Sequence, residues 1–281
     1  MKFKIFRSIL VCSLMFVFLG LNAQDKINLT FRYTTGETYR YKTRTTFDSQ
    51  QEINGKEMNA SGSASSVVKI VIDSVAANGN MTFICSYESI KSSIKSGMFD
   101  TIIDQKELVG KRNRITISFL GDQIKNQVID SVQSLNKMGF GNTTSLKADF
   151  FLHFPDHSVG MGEKWTSPIN DTVKIGQGSM IYQGQFEYTL VQMEQKNGHD
   201  CCKISFTSKT ETTGKMNLMG MDFFIEGSGE TSGTGWYDPK LGMIIAKESK
   251  LQQDMTCAMT GQMKMTIPMS QTIITSDNLI E

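Results

Sequence analysis

Few residues in this chain could carry chemistry. There are three histidines, His153, His157 and His199, with five cysteines and 18 methionines. In Phe154-Pro155-Asp156-His157-Ser158 an acid, a base and a hydroxyl stand in succession. Nucleophilic catalysis needs those groups to converge in space beside an oxyanion site, and adjacency along the chain does not supply that. Neither G-x-S-x-G nor HExxH occurs. His153 and His157 could share a helical face, but Pro155 between them argues against that helix. The histidines therefore read as structural or exposed. No catalytic residue is assigned, and the chain is expected not to be an enzyme.

The methionines are more informative. In Asp254–Met269, Met255, Cys257, Met259, Met263, Met265, Ile267 and Met269 fall on odd positions, with Thr256, Thr260, Gln262, Lys264 and Thr266 on even ones. Period two makes a strand with one soft apolar face and one polar face, and Gly261 marks a possible hairpin tip. Met216, Met219, Met221 and Phe223 precede it. Three readings are open: core filling, a deformable lining for a lipophilic ligand, and a copper(I) site. Copper(I) wants a His or Cys beside exposed methionines; Cys257 qualifies, but the histidines are far away in sequence. No metal or cofactor is assigned. Met216, Met221, Phe223, Met255, Met259, Met263, Met265 and Met269 are the candidate ligand-binding residues.

A second unusual stretch puts Gly227, Gly229, Gly233 and Gly235 on one face of a strand. A phosphate loop would need a helix to follow, and here strand pattern continues into Trp236-Tyr237. Stripped side chains suit a sharply curved sheet or close packing against another backbone.

The elements that must position these faces read as strands. Alternating runs cover Tyr39–Phe47, Ser66–Val75, Met81–Ser89, Arg114–Phe119, Met180–Met193, Cys202–Thr212, Phe223–Tyr237 and Met243–Met255. Asn54-Gly55, Asn78-Gly79, Gly121-Asp122, Asn197-Gly198 and Asp238–Gly242 mark turns. One helix is expected where Val128, Val132, Leu135 and Met138 recur at helical spacing, with a less certain helical turn over Ser145–Phe151. Two halves resemble each other. Gly36-Glu37-Thr38-Tyr39 matches Gly162-Glu163-Lys164-Trp165, and Val67–Tyr87 matches Phe186–Phe206. The expected organisation is a β half over 24–124, a helical connector over 125–161 and a second β half over 162–281.

Residues 1–23 read as a cleavable signal peptide. Lys2, Lys4 and Arg7 precede the apolar run Ile9–Leu21, and cleavage is expected after Ala23. That run is shorter than the roughly 20 residues that span a bilayer, and no later run is long enough. Lipidation at Cys12 is disfavoured, because it would leave most of the apolar run on the mature chain. Removing three basic residues leaves 29 − 3 = 26 basic against 28 acidic, a net charge of −2. Such a balance gives no electrostatic case for nucleic acid. The mature chain keeps Cys85, Cys201, Cys202 and Cys257. Buried thiols are one reading, and a single bridge from Cys85 or Cys257 to one of the adjacent pair is the other.

Several short features together resemble a family of exported all-β proteins of unknown function from Bacteroidota and related bacteria. They are Asn22-Ala23-Gln24, Gly36-Glu37-x-Tyr39, Phe154-Pro155 leading to Gly162-Glu163-x-Trp165, Gly235–Tyr237 with the Asp238–Gly242 turn, and the Met-rich end. The resemblance implies an envelope location and an all-β fold, and it carries no functional residue. Asp73-Ser74-Val75, Asp100-Thr101-Ile102, Asp130-Ser131-Val132 and Asp171-Thr172-Val173 look like the O-glycosylation acceptors of such bacteria. The expected architecture is a strongly curved antiparallel sheet or half-barrel with the helix across its concave side, similar in outline to periplasmic lipid and lipoprotein carriers. The expected function is binding of a lipid or other lipophilic ligand in an apolar groove, in the periplasm or elsewhere in the cell envelope. The alternative is a structural module that docks on an envelope protein partner.

Overall fold

The computed structural model describes residues 26–53, 55–96, 100–103, 105–130, 151–175, 178–218, 221–260 and 264–280. The expected signal peptide lies outside them. Among the described residues no helix is long and apolar enough to cross a membrane. The fold is all-β: the described residues form twelve antiparallel strands in one sheet. They are β1 (Thr38–Ile53), β2 (Lys56–Val75), β3 (Met81–Ser96), β4 (Asp100–Ile103), β5 (Arg112–Ile117), β6 (Gln123–Val128), β7 (Lys164–Ile175), β8 (Gly178–Lys196), β9 (His199–Leu218), β10 (Met221–Asp238), β11 (Met243–Thr260) and β12 (Met265–Leu279). The sheet order is β6-β5-β3-β2-β1-β12-β11-β10-β9-β8-β7, with β4 on β3, and the path does not close. The first strand therefore pairs with the last, from Tyr41↔Leu279 to Gln51↔Met269.

Seven of the eight expected runs lie wholly in strands, and Arg114–Phe119 overruns β5 by two residues; most of these strands run longer than the alternation suggested. The helix is not where the pattern began. Val128 is the last residue of β6, opposite Asn113 of β5. A β-branched residue beside an unpaired sheet edge gains ladder bonds that outweigh a weak helical period. The rest of that pattern, residues 131–150, lies outside the described residues. Among the described residues the helical element is the single 3₁₀ turn Lys106–Leu108.

What covers the sheet at one end is two extended segments, residues 26–36 and 151–163. They bridge each other at Ile27↔Val159. Leu29, Phe31, Phe151, Leu152 and Phe154 join Tyr41, Ile70, Phe83, Ile115, Tyr188, Leu190, Ile204, Tyr237 and Ile244 in one core. The Phe31 ring stacks on Phe154 at 4.6 Å and meets Phe151 edge-on at 4.9 Å. Tyr237 Oη donates to the Thr30 carbonyl at 2.5 Å, and Tyr41 Oη to the Ile244 carbonyl at 2.7 Å. Both phenols sit in the core, and each is satisfied there by a backbone oxygen. A smaller cluster of Cys201, Trp236, Met243, Ile245 and Ala246 has Lys196 Nζ 3.7 Å over the Trp236 ring.

The curvature follows from one residue. The Phe154 amide donates to Leu120 O, and His153 Nδ1 lies 2.8 Å from Asp122, both in the β5–β6 turn. The carbonyl of the same His153 accepts Trp165 Nε1 of β7 at 2.8 Å. Strands β5 and β7 are nine positions apart in the sheet order. A flat sheet would separate them by roughly 43 Å at ~4.8 Å per strand. A single residue can touch both ends only because the sheet curls around the plug.

The two motifs that match between the halves, Gly36-Glu37 and Gly162-Glu163, are built alike. Gly36 has φ +90° and Gly162 has φ +80°. The Gly36 amide donates to Ile72 O and Ile72 N to Glu37 O; Gly162 and Glu163 make the same pair of bonds with Leu190. The Glu37 carboxylate accepts Thr34 N at 3.2 Å, and that of Glu163 accepts Gly160 N at 3.0 Å. A bulge follows immediately in each case, between Ile72 and Ser74 and between Leu190 and Gln192.

The glycines of β10 have a packing reason. A Cβ on Gly235 would lie 2.6 Å from Leu152 Cδ1, and one on Gly227 would lie 2.7 Å from Met255 Cγ. Gly235→Val should therefore destabilise the chain by about 1–3 kcal/mol through overpacking. In a urea-denaturation cycle, adding Leu152→Ala should recover part of that loss; strict additivity would mean the two do not share a site.

Candidate ligand-binding face

Strand register places the predicted residues on one face. Met216 of β9 stands opposite Phe223 of β10, Phe223 opposite Met259 of β11, and Met259 opposite Met265 of β12. One layer nearer the plug, Ile225, Cys257 and Ile267 pair in the same way. In the next, Met255 is opposite Met269, and Met269 is opposite Gln51 of β1. Alternation makes this the face on which Tyr41 and Tyr237 meet the plug. Met259 is 7% exposed, while Met216, Phe223, Met255, Met265 and Met269 are half-buried. Their neighbours Asp254, Thr256, Thr260 and Thr266 are exposed. Neither core cluster contains any of the five methionines named here. The sheet thus carries an apolar area outside its own core. Met221 lies in β10 opposite Leu218. Met263 and Gly261 lie outside the described residues.

The glycine strand shares this face but is not an open groove. Gly233 lies under the Phe206 ring, and Met255 leans over Gly227. Small residues let large neighbours fold down, so the face is filled more evenly than a row of missing side chains suggests.

Among the described residues Cys85, Cys201, Cys202 and Cys257 are free thiols. Cys201 and Cys202 point to opposite faces, as neighbours in a strand must. Burial pushes the Cys85 and Cys201 thiols up to about 12 and Cys202 up to about 11. Cys257 is half-buried on the methionine face, and its thiol is also raised by burial. Among the described residues no group of three or more His, Cys, Asp or Glu gathers to hold a metal ion.

Each histidine is held by carboxylates. His157 lies between Asp156 and Glu163, and His199 meets the buried Asp238 at 3.0 Å. Asp238 also accepts the Lys240 and Leu241 amides and so builds its own turn. Asp122 takes a hydrogen bond from Ser118 Oγ at 3.1 Å as well as contacting His153. There the carboxylate stands between hydroxyl and imidazole, the reverse of what an activated serine needs.

One feature of the surface has no signal in the sequence. A hollow of about 650 Å³ spans β3, β2, β1, β12 and β11. Asp48, Asn59, Lys95, Gln252, Asp254 and Thr272 are among its lining residues. By alternation these side chains lie on the polar face, opposite the methionines. A smaller hollow beside it, with Thr46, Ser63 and Ser93 in its lining, lies on the same face. Polar residues on alternate positions look like any solvated strand face; only the register gathers these five strands.

No protein-family model and no curated protein matches the chain. Among solved structures it is similar to a lipovitellin solved in a study of lipid–protein interactions, with TM-score 0.45 and 12% identity over 86% of this chain. The chain spans only 25% of that lipovitellin chain. It is also similar to OccK8 (OprE) of Pseudomonas aeruginosa, with TM-score 0.24 and 5% identity over 88% of this chain and 100% of that one. An outer-membrane channel of Pseudomonas putida F1 gives TM-score 0.26 and 7% identity over 93% and 100%. Likenesses this distant carry no argument about function.

Two predictions follow from the geometry of thiols and acids. Under native alkylation at pH 8, Cys257 should react first and the three buried thiols only on unfolding, as read by peptide mass spectrometry. Contact with His153 holds the Asp122 carboxyl below the usual carboxylate range. A depressed folded pKa stabilises above the unfolded value, and that share is lost as pH falls below about 4. The Asp122 side chain is 59% exposed, so solvent weakens the effect. Asp122→Asn should lower Tm at pH 7 and flatten the acid limb of a Tm-against-pH profile; an unchanged limb would remove this contact from the account.

Proposed function

We propose that this chain is a non-enzymatic binding protein of the cell envelope that takes a lipophilic molecule on the methionine face. One observation supports the reading: a continuous apolar surface of Met, Ile and Phe on β9–β12 that belongs to neither hydrophobic core. Apolar area that folding leaves half in water still gains roughly 25 cal/mol per Å² when a ligand covers it. Unbranched thioethers can repack around chains of different shape at little cost. The polar neighbours on alternate positions keep the other face of the same strands in water.

A docking module of the envelope is the second reading. It draws on the edge at β6, which has no second partner strand among the described residues and where Ile124, Val128 and Ile129 are 55%, 38% and 41% exposed. An edge strand with exposed apolar side chains is a template for a partner strand.

Native mass spectrometry of protein purified from an envelope fraction, followed by organic extraction, separates the two. A discrete adduct of lipid mass that disappears in Met255→Lys, with folding retained by circular dichroism, is the expected result. A bare chain mass together with a co-purifying polypeptide would favour the docking module.

A further inference from the structure

On the reading of the methionine face as a lipid site, we infer that the ligand is an acylglycerol: a neutral amphiphile whose ester and hydroxyl oxygens sit on a fixed row of amides and hydroxyls. Register draws that row across the sheet. Ser49 of β1 is opposite Gln271 of β12, Gln271 opposite Gln253 of β11, and Gln253 opposite Gly229 of β10. Gly229 is opposite Thr210 of β9. On the other side, Ser49 is opposite Ala60 of β2 and Ala60 opposite Ser96 of β3. Every side chain in this row is neutral. It lies on the face of the methionines, between them and the plugged core.

The head-group chemistry comes from the charges and from the hydrogen bonds. On this face Lys247, opposite Asp277, is three rows from Gln253 and Gln271 towards the core, and Lys56 of β2, opposite Ile53, is two rows beyond Ala60 in the other direction, two strands from Gln271 and three from Gln253. Asp277 is 5% exposed and accepts Thr43 Oγ1 at 2.7 Å. That paired site lies under the core and offers nothing to an anion on the row. A carboxylate or phosphate there would lose its hydration without a partner charge. Oxygens of an ester or a hydroxyl would meet donors suited to them. Several of those donors are poorly used. Gln253 Nε2 donates to the Met255 thioether at 3.1 Å, and Gln51 Nε2 to that of Met269 at 3.4 Å. Sulfur is a weak acceptor. Ser49 Oγ is shielded from solvent and has no partner, and neither has Ser208 Oγ, one layer nearer the core in a residue 5% exposed. Buried hydroxyls of this kind mark places where a further polar atom belongs.

Along β11 the tail would lie on the methionine face: at ~3.4 Å per residue, the about 15 Å of chain found in one bilayer leaflet would run from Gln253 past Met255 and end near Cys257, short of the Met259–Met265 pair.

The test is a set of titrations of the full exported chain at pH 8 with three probes in matched micelles: 1-oleoylglycerol, oleate and dioleoylphosphatidylglycerol. The account expects 1-oleoylglycerol to bind at least tenfold more tightly than either anion. It expects Gln253→Leu combined with Gln271→Leu to erase that preference while leaving oleate affinity within about threefold. Equal or tighter binding of either anion, or a preference that survives the double variant, overturns the inference and leaves the lipid site standing. Binding of none of the three probes overturns the lipid site and the inference together.

Discussion

The pairing of β1 with β12 is the constraint on which the rest depends. It joins the first strand to the last and turns two meanders into one sheet. It also fixes phase. Because side chains alternate with period two, a slip of one residue between β1 and β12 would exchange the two faces across that seam. Met269 would then stand opposite Gln50 or Glu52, and the plug would meet Lys42 or Arg40 in place of Tyr41. The apolar part of the β1–β12 seam, Tyr41 against Leu279 and Phe47 against Ile273, makes any such slip expensive, since it would place Phe47 and Ile273 in water. Pro268 lies one residue beyond the last β1 partner, so its missing amide costs no bond across this seam.

The plug sets curvature and the seam sets phase, and the two act at different heights on the strands. Phe31, Phe151, Leu152 and Phe154 occupy the curled end, where both edges of the sheet come within reach of His153. Farther along the strands that cluster ends and the same face changes character, first to hydroxyls and amides and then to methionine. The methionines lie outside both buried clusters. The proposed ligand face rests on that separation.

Much of this was legible because β structure writes its faces into alternate residues. Met255, Cys257, Met259, Met265, Ile267 and Met269 declared one face, and Gly227 to Gly235 declared another. What sequence could not say is that both are the same face, since that depends on the pairing of β10, β11 and β12. The glycines mark close packing, with Leu152 against Gly235, the Phe206 ring against Gly233 and Met255 against Gly227. The central helical pattern failed at Val128 for a physical reason. Periodicity over four residues is weak, and a free sheet edge at β5 offers the backbone more than a short helix does. The polar hollow and the amide row had no signal at all, because each is assembled across several strands, with at most three consecutive residues from any one of them.

The central claim is that the two faces of β11 and β12 differ in what they meet. A solvatochromic dye on Cys257 reports the methionine face, and the same dye on Thr256→Cys in a Cys257→Ser background reports the opposite one. On adding 1-oleoylglycerol the account predicts a blue shift and protection from aqueous quencher at position 257, with the label at 256 unchanged. Equal responses at the two positions, or a response confined to 256, would contradict it.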